Sequence, residues 1–201
     1  MEPFEKFLFL VVVGGRSPKA NVELHDVRWV IGTKIEDTFD QLRNDWFGSN
    51  NGLHIDSYKK IDSIDGYKIN IRNKVNRESK NKTLKKERIS NKKLWFVNIG
   101  GYDPSSMQEK HEFGLVVASS PSEAKNKAKS KWLIDCKKKH KDDISVVKNF
   151  TDVDDCEVIK NIKNWEIELI RNDNHVEEKN TPDWFLSLIH ISEPTRRYAI
   201  S

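Results

Sequence analysis

Two pairs of residues, each a histidine two positions away from a carboxylate, carry the chemistry that this sequence could perform. Glu23 and His25 form the first pair, and His54 and Asp56 form the second. A histidine beside a carboxylate can act as a general base in hydrolysis, and the same groups can ligate a transition metal. With exposed glycine amides they could instead bind a small anionic ligand. A purely structural role, in which both histidines pin a loop to a sheet, is the fourth option.

The same residue types recur later in the chain in the same order. When the sequence is shifted by 86 positions, eleven of the forty-nine residues from Leu8 to Asp56 are identical, including one tryptophan pair and two histidine pairs. Chance would give about three identities. The candidate binding residues of the two copies are Gly14, Gly15, Glu23, His25, His54, Asp56, Gly100, Gly101, Glu109, His111, His140 and Asp142.

Beyond Asp56 the alignment of the two copies has two solutions. A gap of about three residues places Asp65–Tyr67 against Asp154–Cys156, whereas a longer gap places Tyr67–Ile71 against Trp165–Leu169. The sequence does not decide between these two alignments.

Each copy has the pattern strand, strand, helix, strand and further strand. The first strand is an apolar run that ends at a glycine pair, which on its own more often indicates a tight backbone turn than a phosphate cradle. The helix begins at a capping box, and its apolar stripe ends in a tryptophan that we expect in the core. The predicted segments are Phe7–Val13, His25–Ile31, a helix from Thr33-x-x-Glu36, a strand from His54 and Tyr67–Ile71, then Leu94–Ile99, His111–Val117, a helix from Ser120-Pro121-x-Glu123, a strand near His140 and Trp165–Ile170.

This element order predicts where the polar pairs lie. A strand–helix–strand segment normally joins parallel strands, so His25 and His54, which open the two strands, should share one edge of the sheet. If the first two strands are antiparallel, the loop after Gly14 and Gly15 returns the chain to that edge. The four polar side chains would then gather beside the glycines.

We therefore predict an α+β fold of two tandem ββαβ(β) units, each a small mixed sheet with one helix on one face. A unit of about sixty residues is marginal alone, so the two should pack as a pseudo-twofold pair. The predicted segments are copy 1 (residues 1–72), a basic flexible linker (73–92), copy 2 (93–172) and a C-terminal extension (173–185).

The last sixteen residues are left out of this fold prediction. The segment Leu186–Arg196 resembles the translated transposase adapter of short-read sequencing libraries. We therefore expect residues 186–201 not to be native and the natural C-terminus to be missing. The alternative is an ordinary short amphipathic C-terminal strand.

Charge and composition exclude several functional classes. The chain carries +4, but the linker Asn73–Lys92 alone carries +6, so the remainder is mildly acidic. That balance disfavours nucleic-acid binding, although the linker and the lysines of the second helix keep it as an alternative. The apolar run Phe7–Val13 is too short to span a membrane. The two cysteines, Cys136 and Cys156, form no disulfide framework, which favours the cytoplasm.

The first copy resembles the bacterial family catalogued as domain of unknown function 1543. The resemblance is carried by Gly14-Gly15, Glu23–Val27, Trp46–Gly48, Leu53–Asp56 and Asp65–Tyr67, whereas the second copy keeps only the outer polar residues. That family occurs with one or two copies of the module and implies no established activity.

The function predicted from these observations is a non-enzymatic module that binds a small ligand or a protein. The alternatives are a metal- or His/Asp-assisted hydrolase and, second, a nucleic-acid-binding protein. Catalytic residues, cofactor and external partner are left unassigned, no residue is assigned as a metal ligand, and the expected pairing is that of the two copies with each other.

Overall fold

The computed structural model describes residues 5–74, 91–101, 105, 107, 110–132, 156–172 and 181–190. The chain divides into two compact units, the first formed by Met1–Asp62 with Lys179–Ser201 and the second by Ser63–Glu178. In chain order the elements are β1 (Phe7–Gly15), β2 (Leu24–Gly32), a 3-10 turn (Ile35–Thr38), α1 (Phe39–Asp45), β3 (His54–Ile61), β4 (Ser63–Ile64), β5 (Tyr67–Asn73), β6 (Lys93–Gly101), β7 (Lys110–Ala118), α2 (Pro121–Lys131), β8 (Cys156–Val158), β9 (Asn161–Ile162), β10 (Trp165–Arg171) and β11 (Trp184–His190).

The first unit contains one four-stranded sheet in the order β11-β3-β1-β2. Strand β1 is antiparallel to both β2 and β3, so β2 and β3 are parallel with β1 between them. This is the arrangement that the strand–helix–strand order predicts.

The core of the first unit lies on one face of this sheet. Alternate residues of β1 point to that face, because successive side chains of a strand alternate between faces. They pack with the helical segment and with Trp46, which is buried as predicted. The members of this cluster are Phe9, Val11, Val13, Val30, Ile35, Leu42, Trp46, Leu53 and Ile55.

The glycine pair is part of β1 rather than a turn. Gly14 and Gly15 both lie in the strand and neither has a positive φ, so the expected tight turn is wrong. The reason for glycine is space instead of backbone conformation. A Cβ on Gly15 would lie 3.0 Å from the ring of Trp46.

The two helices begin differently. In the first copy the helix start lies one residue later than predicted: the Asp37 carboxylate, instead of Glu36, accepts hydrogen bonds from the amides of Thr33 at 2.9 Å and Lys34 at 3.4 Å, and a 3-10 turn precedes α1. In the second copy the Ser120 hydroxyl accepts from the amide of Glu123 at 3.2 Å, as predicted. The Glu123 carboxylate accepts hydrogen bonds from Lys92 and from Ser119, which lower its pKa to about 2.

The second unit repeats the elements of the first. Strands β6 and β7 pair from Lys93 opposite Ala118, which is the pairing of Phe7 with Gly32 shifted by 86 positions. Helix α2 packs on this β7-β6-β8 sheet, and its tryptophan, Trp132, is buried with Ala124 and Ala128. Both tryptophans therefore fill a core, as predicted.

A second sheet of this unit joins strands from both copies, in the order β4-β5-β10-β9. Strands β4 and β5 correspond to β9 and β10 with a shift of 98 positions, so the longer gap in the alignment is correct. Strand β5 pairs antiparallel with β10, and Asn70 lies opposite Glu168, its own counterpart in the second copy. A pseudo-twofold axis of this sheet therefore passes between these two residues.

The C-terminal extension adds a strand to the first sheet. Trp184 pairs with Tyr58 and His190 pairs with His54, with a register shift between Phe185 and Ile189. Residues 186–190, left out of the predicted fold, therefore belong to a strand of the sheet. The expected non-native origin of residues 186–201 stays a prediction.

No helix in the described part of the chain is long and apolar enough to cross a membrane. Most of the predicted linker, residues 75–90, lies outside the described residues.

Candidate functional site

The site lies at the end of β1, where one glycine is flanked by a histidine on each side. Gly14 pairs with His25 on β2 and with His54 on β3. Because residues directly opposite each other project to the same face of a sheet, both imidazoles lie over Gly14. A Cβ at Gly14 would be 2.7 Å from His54 Nε2 and 2.9 Å from Asp56 Oδ2. The four predicted side chains of the first copy, Glu23, His25, His54 and Asp56, therefore lie together beside Gly14.

His54 is the buried centre of the cluster, with 5% of its surface exposed. Its Nδ1 is 2.8 Å from the carbonyl oxygen of Gly52. Its Nε2 is 3.1 Å from Asp56 Oδ1 and 3.4 Å from Glu23 Oε1. A carbonyl and a carboxylate only accept hydrogen bonds, so the ring satisfies all three oxygens when both of its nitrogens carry hydrogen.

Asp56 lies between the two histidines. Its Oδ1 contacts His54, and its Oδ2 is 3.3 Å from His25 Nε2. Oδ2 is buried and has no hydrogen-bond partner in the described structure, although His25 Nε2 lies 3.3 Å away. A buried acceptor without a donor is destabilising, so this atom marks the position where a further donor would be most favourable.

The outer wall of the cluster is open to solvent. The side chains of His25 and Glu23 are 53% and 41% exposed, against 6% for His54. The cluster therefore has an inner layer, formed by the buried His54 and the half-buried Asp56, and an exposed layer that a ligand can reach.

The exposed glycine amides expected for an anionic ligand are not found. Gly14 and Gly15 are both buried, and both lie within the strand ladder opposite residues of β2. Their amides point along the plane of the sheet, so this glycine pair does not form a phosphate cradle.

The second copy reproduces only part of this arrangement in the described residues. Gly100 pairs with His111 and Gly101 pairs with Lys110, in the register of the first copy. His111 is exposed, with its Nδ1 at 3.4 Å from Asn98 Nδ2. The other predicted members, Glu109, His140 and Asp142, lie outside the described residues.

One feature of the site has no counterpart in the predicted set. The carbonyl of Gly52 orients His54, and a backbone acceptor leaves no trace in residue type. Across residues 5–74 and the other described ranges, no group of three or more His, Cys, Asp or Glu side chains is arranged to hold a metal ion.

Lysines of α2, which the sequence offers as part of a nucleic-acid-binding surface, partly form ion pairs within the fold. Lys131 Nζ is 2.6 Å from Asp65 Oδ1, and Lys127 Nζ is 3.4 Å from Asp65 Oδ2. Lys92, at the end of the predicted linker, pairs with Glu123. These cations are neutralised within the fold, which weakens the case for a phosphate-binding surface.

Comparison with known proteins finds one family match in each copy of the repeat. The family model described as Domain of Unknown Function (DUF1543) matches residues 20–71 and 106–169, one segment in each copy. A crystal structure described as that of a protein Il1583 from Idiomarina loihiensis is similar to this chain, with 32% sequence identity and a TM-score of 0.63. The match covers 92% of this chain and 96% of that chain. No curated protein matches the chain.

Proposed function

The chain belongs to the Domain of Unknown Function (DUF1543) family, and from this premise we propose that it is a non-enzymatic module that binds a small polar ligand through His25 and Glu23. The proposal places the protein in a bacterial cytoplasm, where its two cysteines remain reduced.

The observation that carries this proposal is the two-layer construction of the cluster. His25 and Glu23 are exposed, yet each is held from behind by a more buried side chain, Asp56 and His54 respectively. Binding side chains fixed by supporting contacts lose little conformational freedom when a ligand arrives. A histidine that served only to pin a loop would have no need of this exposure.

The proposal is tested by NMR on the full chain with histidine-labelled protein. We expect members of a small-fragment library to shift the imidazole signals of His25 and His54 in a saturable manner. His25→Ala should abolish this response. His111→Ala is the matched control, because His111 occupies the equivalent position opposite Gly100.

If no fragment shifts either histidine of the first copy, or if His111→Ala removes binding as fully as His25→Ala, the cluster is structural. Thermal unfolding of each variant shows whether a lost response reflects lost folding.

A hydrolase is the second candidate, favoured by one specific contact. His25 Nε2 lies 3.3 Å from Asp56 Oδ2, and a carboxylate behind a half-exposed imidazole is the arrangement that orients a general base. If the chain is a hydrolase, His25→Ala should lower the hydrolysis of an activated ester by a hundredfold or more, on the order of what a positioned base contributes. His111→Ala should leave the rate unchanged.

A further inference from the structure

The geometry points to the charge and chemistry of the ligand: we infer that the cluster takes an organic cation that donates hydrogen bonds, such as a primary ammonium or a guanidinium group. This inference rests on the proposed binding function and adds to it the class of ligand.

The first support is the charge balance of the cluster. Glu23 and Asp56 both approach His54, and in the described part of the chain neither carboxylate has a lysine or arginine within ion-pair distance. Other carboxylates do: Asp26 pairs with Arg28 at 2.5 Å, and Glu168 pairs with Arg72 at 2.7 Å. Two carboxylates that, among the described residues, face imidazoles and no lysine or arginine favour a ligand that brings positive charge.

The second support is the direction of the hydrogen bonds. Both ring nitrogens of His54 face acceptors within the cluster, so its hydrogens are used internally. Besides the exposed imidazole of His25, which can donate or accept, the polar side chain atoms left over are acceptors: Asp56 Oδ2, which has no hydrogen-bond partner in the described structure, and the half-exposed carboxylate of Glu23. A ligand that engages these two acceptors must therefore donate. An ammonium or guanidinium group carries several donors and the compensating charge.

His25 lines the exposed side of Asp56 Oδ2. Its imidazole lies 3.3 Å from that atom and is 53% exposed. A ligand held by His25 and Glu23 therefore has Asp56 Oδ2 beside it as a further acceptor.

Two other ligand classes fit less well. An anion would meet two carboxylates and buried glycine amides, so it would be repelled. A metal ion needs at least three converging ligands, and no group of His, Cys, Asp and Glu side chains within the described ranges is arranged in that way.

The test compares three probes of equal length on the full chain: n-butylammonium, the neutral n-butanol and the anionic pentanoate. Binding is followed through the imidazole signals of His25 and His54. We expect n-butylammonium to bind saturably and at least about tenfold more tightly than either other probe, since one charge-assisted contact is of that size.

Glu23→Gln should weaken n-butylammonium binding by about tenfold, because it removes the charge and keeps the shape. Glu36→Gln is the control, since Glu36 is an exposed carboxylate of the same unit, located in the 3-10 turn. Equal weakening by both variants would show an effect of overall charge and overturn the inference.

The remaining outcomes separate this inference from the proposed function. Tighter binding of pentanoate or n-butanol overturns the cationic class but leaves a ligand site in place. Displacement of n-butylammonium by micromolar Zn²⁺ overturns the organic class in favour of a metal. If n-butylammonium and the whole fragment library leave His25 and His54 unmoved, the binding function itself fails.

Discussion

The role of each carboxylate in this protein follows from the donors around it. Asp65 accepts from the amide of Val117 and from two lysine ammonium groups, so its charge is fully compensated. Asp56 contacts only histidines, and one of its oxygens has no hydrogen-bond partner in the described structure. The same side chain thus stabilises the fold at one position and is available to a ligand at the other.

Gly14→Ala tests how closely the cluster is packed. The added Cβ would meet His54 and Asp56 at 2.7 and 2.9 Å, and we expect overpacking to lower the unfolding free energy by about 1–3 kcal/mol. Chemical denaturation measures the change. Gly52→Ala is the comparison, because nothing lies within 4 Å of its Cβ and only its positive φ of 78° opposes the substitution. A Gly14→Ala protein as stable as the parent would show that the cluster is looser than described.

Asp65 makes the free energy of unfolding depend on pH in the acidic range. Burial by itself raises the pKa of this carboxyl, but the hydrogen bonds from Lys131 and Val117 and the charge of Lys127 outweigh it, so the pKa lies below the ordinary value of 3.8. A lowered pKa means that the stabilisation is complete above pH 3.8 and is lost as the pH falls through the lower folded value.

Asp65→Asn should therefore destabilise the protein by about 1.5–3 kcal/mol at neutral pH and remove this part of the acid dependence. Urea unfolding at several pH values between 7 and 2 measures both effects. Asp62→Asn serves as the control, since Asp62 is more exposed and, among the described residues, has only Lys60 as an ion-pair partner. Identical acid profiles for Asp65→Asn and the parent chain would contradict the assignment.

The elements show which local signals were reliable. Ser120 and Pro121 form the predicted start of α2 because a hydroxyl cap and a proline act within one turn of helix. The equivalent signal at Thr33 fails, since Asp37 competes for the same amides and tightens the first turn into a 3-10 turn. The local sequence of β11 does not indicate that it pairs with β3, because pairing with a distant strand is decided by tertiary contacts.

The contacts of β11 also predict the effect of shortening the chain. Trp184 stacks on Tyr58 with ring centroids 5.9 Å apart, and Asp183 accepts a hydrogen bond from the amide of Lys60 at 2.7 Å. Both contacts precede residue 186. A chain ending at Phe185 should therefore unfold at nearly the same temperature as the full chain, whereas Trp184→Ala should lower the unfolding free energy by about 1–3 kcal/mol.

Calorimetry of the two variants measures these changes. A large loss of stability on removal of residues 186–201 would mean that these residues are part of the native fold, contrary to the origin predicted for them.

At the scale of the molecule, the two copies were the most predictable feature. The shift of 86 positions aligns the first two strands, the helix and the tryptophan as the structure has them, whereas the third strand, β8, already follows the shift of 98 positions. The later shift of 98 positions could not be chosen from the residues, since short apolar strands such as Tyr67–Ile71 resemble one another. In the second copy, His140 and Asp142 lie outside the described residues, so their place in a candidate site stays a prediction.

The sheet shared by the copies gives the last prediction. Asn70 lies directly opposite Glu168 on neighbouring antiparallel strands, at the centre of the β5–β10 pairing. Residues in that relation have Cα atoms about 4.5–5.5 Å apart, which is within the range that a disulfide spans. With Cys136 and Cys156 replaced by alanine, the pair Asn70→Cys and Glu168→Cys should therefore cross-link within one chain under mild oxidation. Asn70→Cys with Glu166→Cys is the matched control, because Glu166 lies opposite Arg72 and is diagonal to Asn70. Non-reducing electrophoresis and peptide mapping detect the bond, and efficient cross-linking of the control pair alone would show that the strands pair in another register.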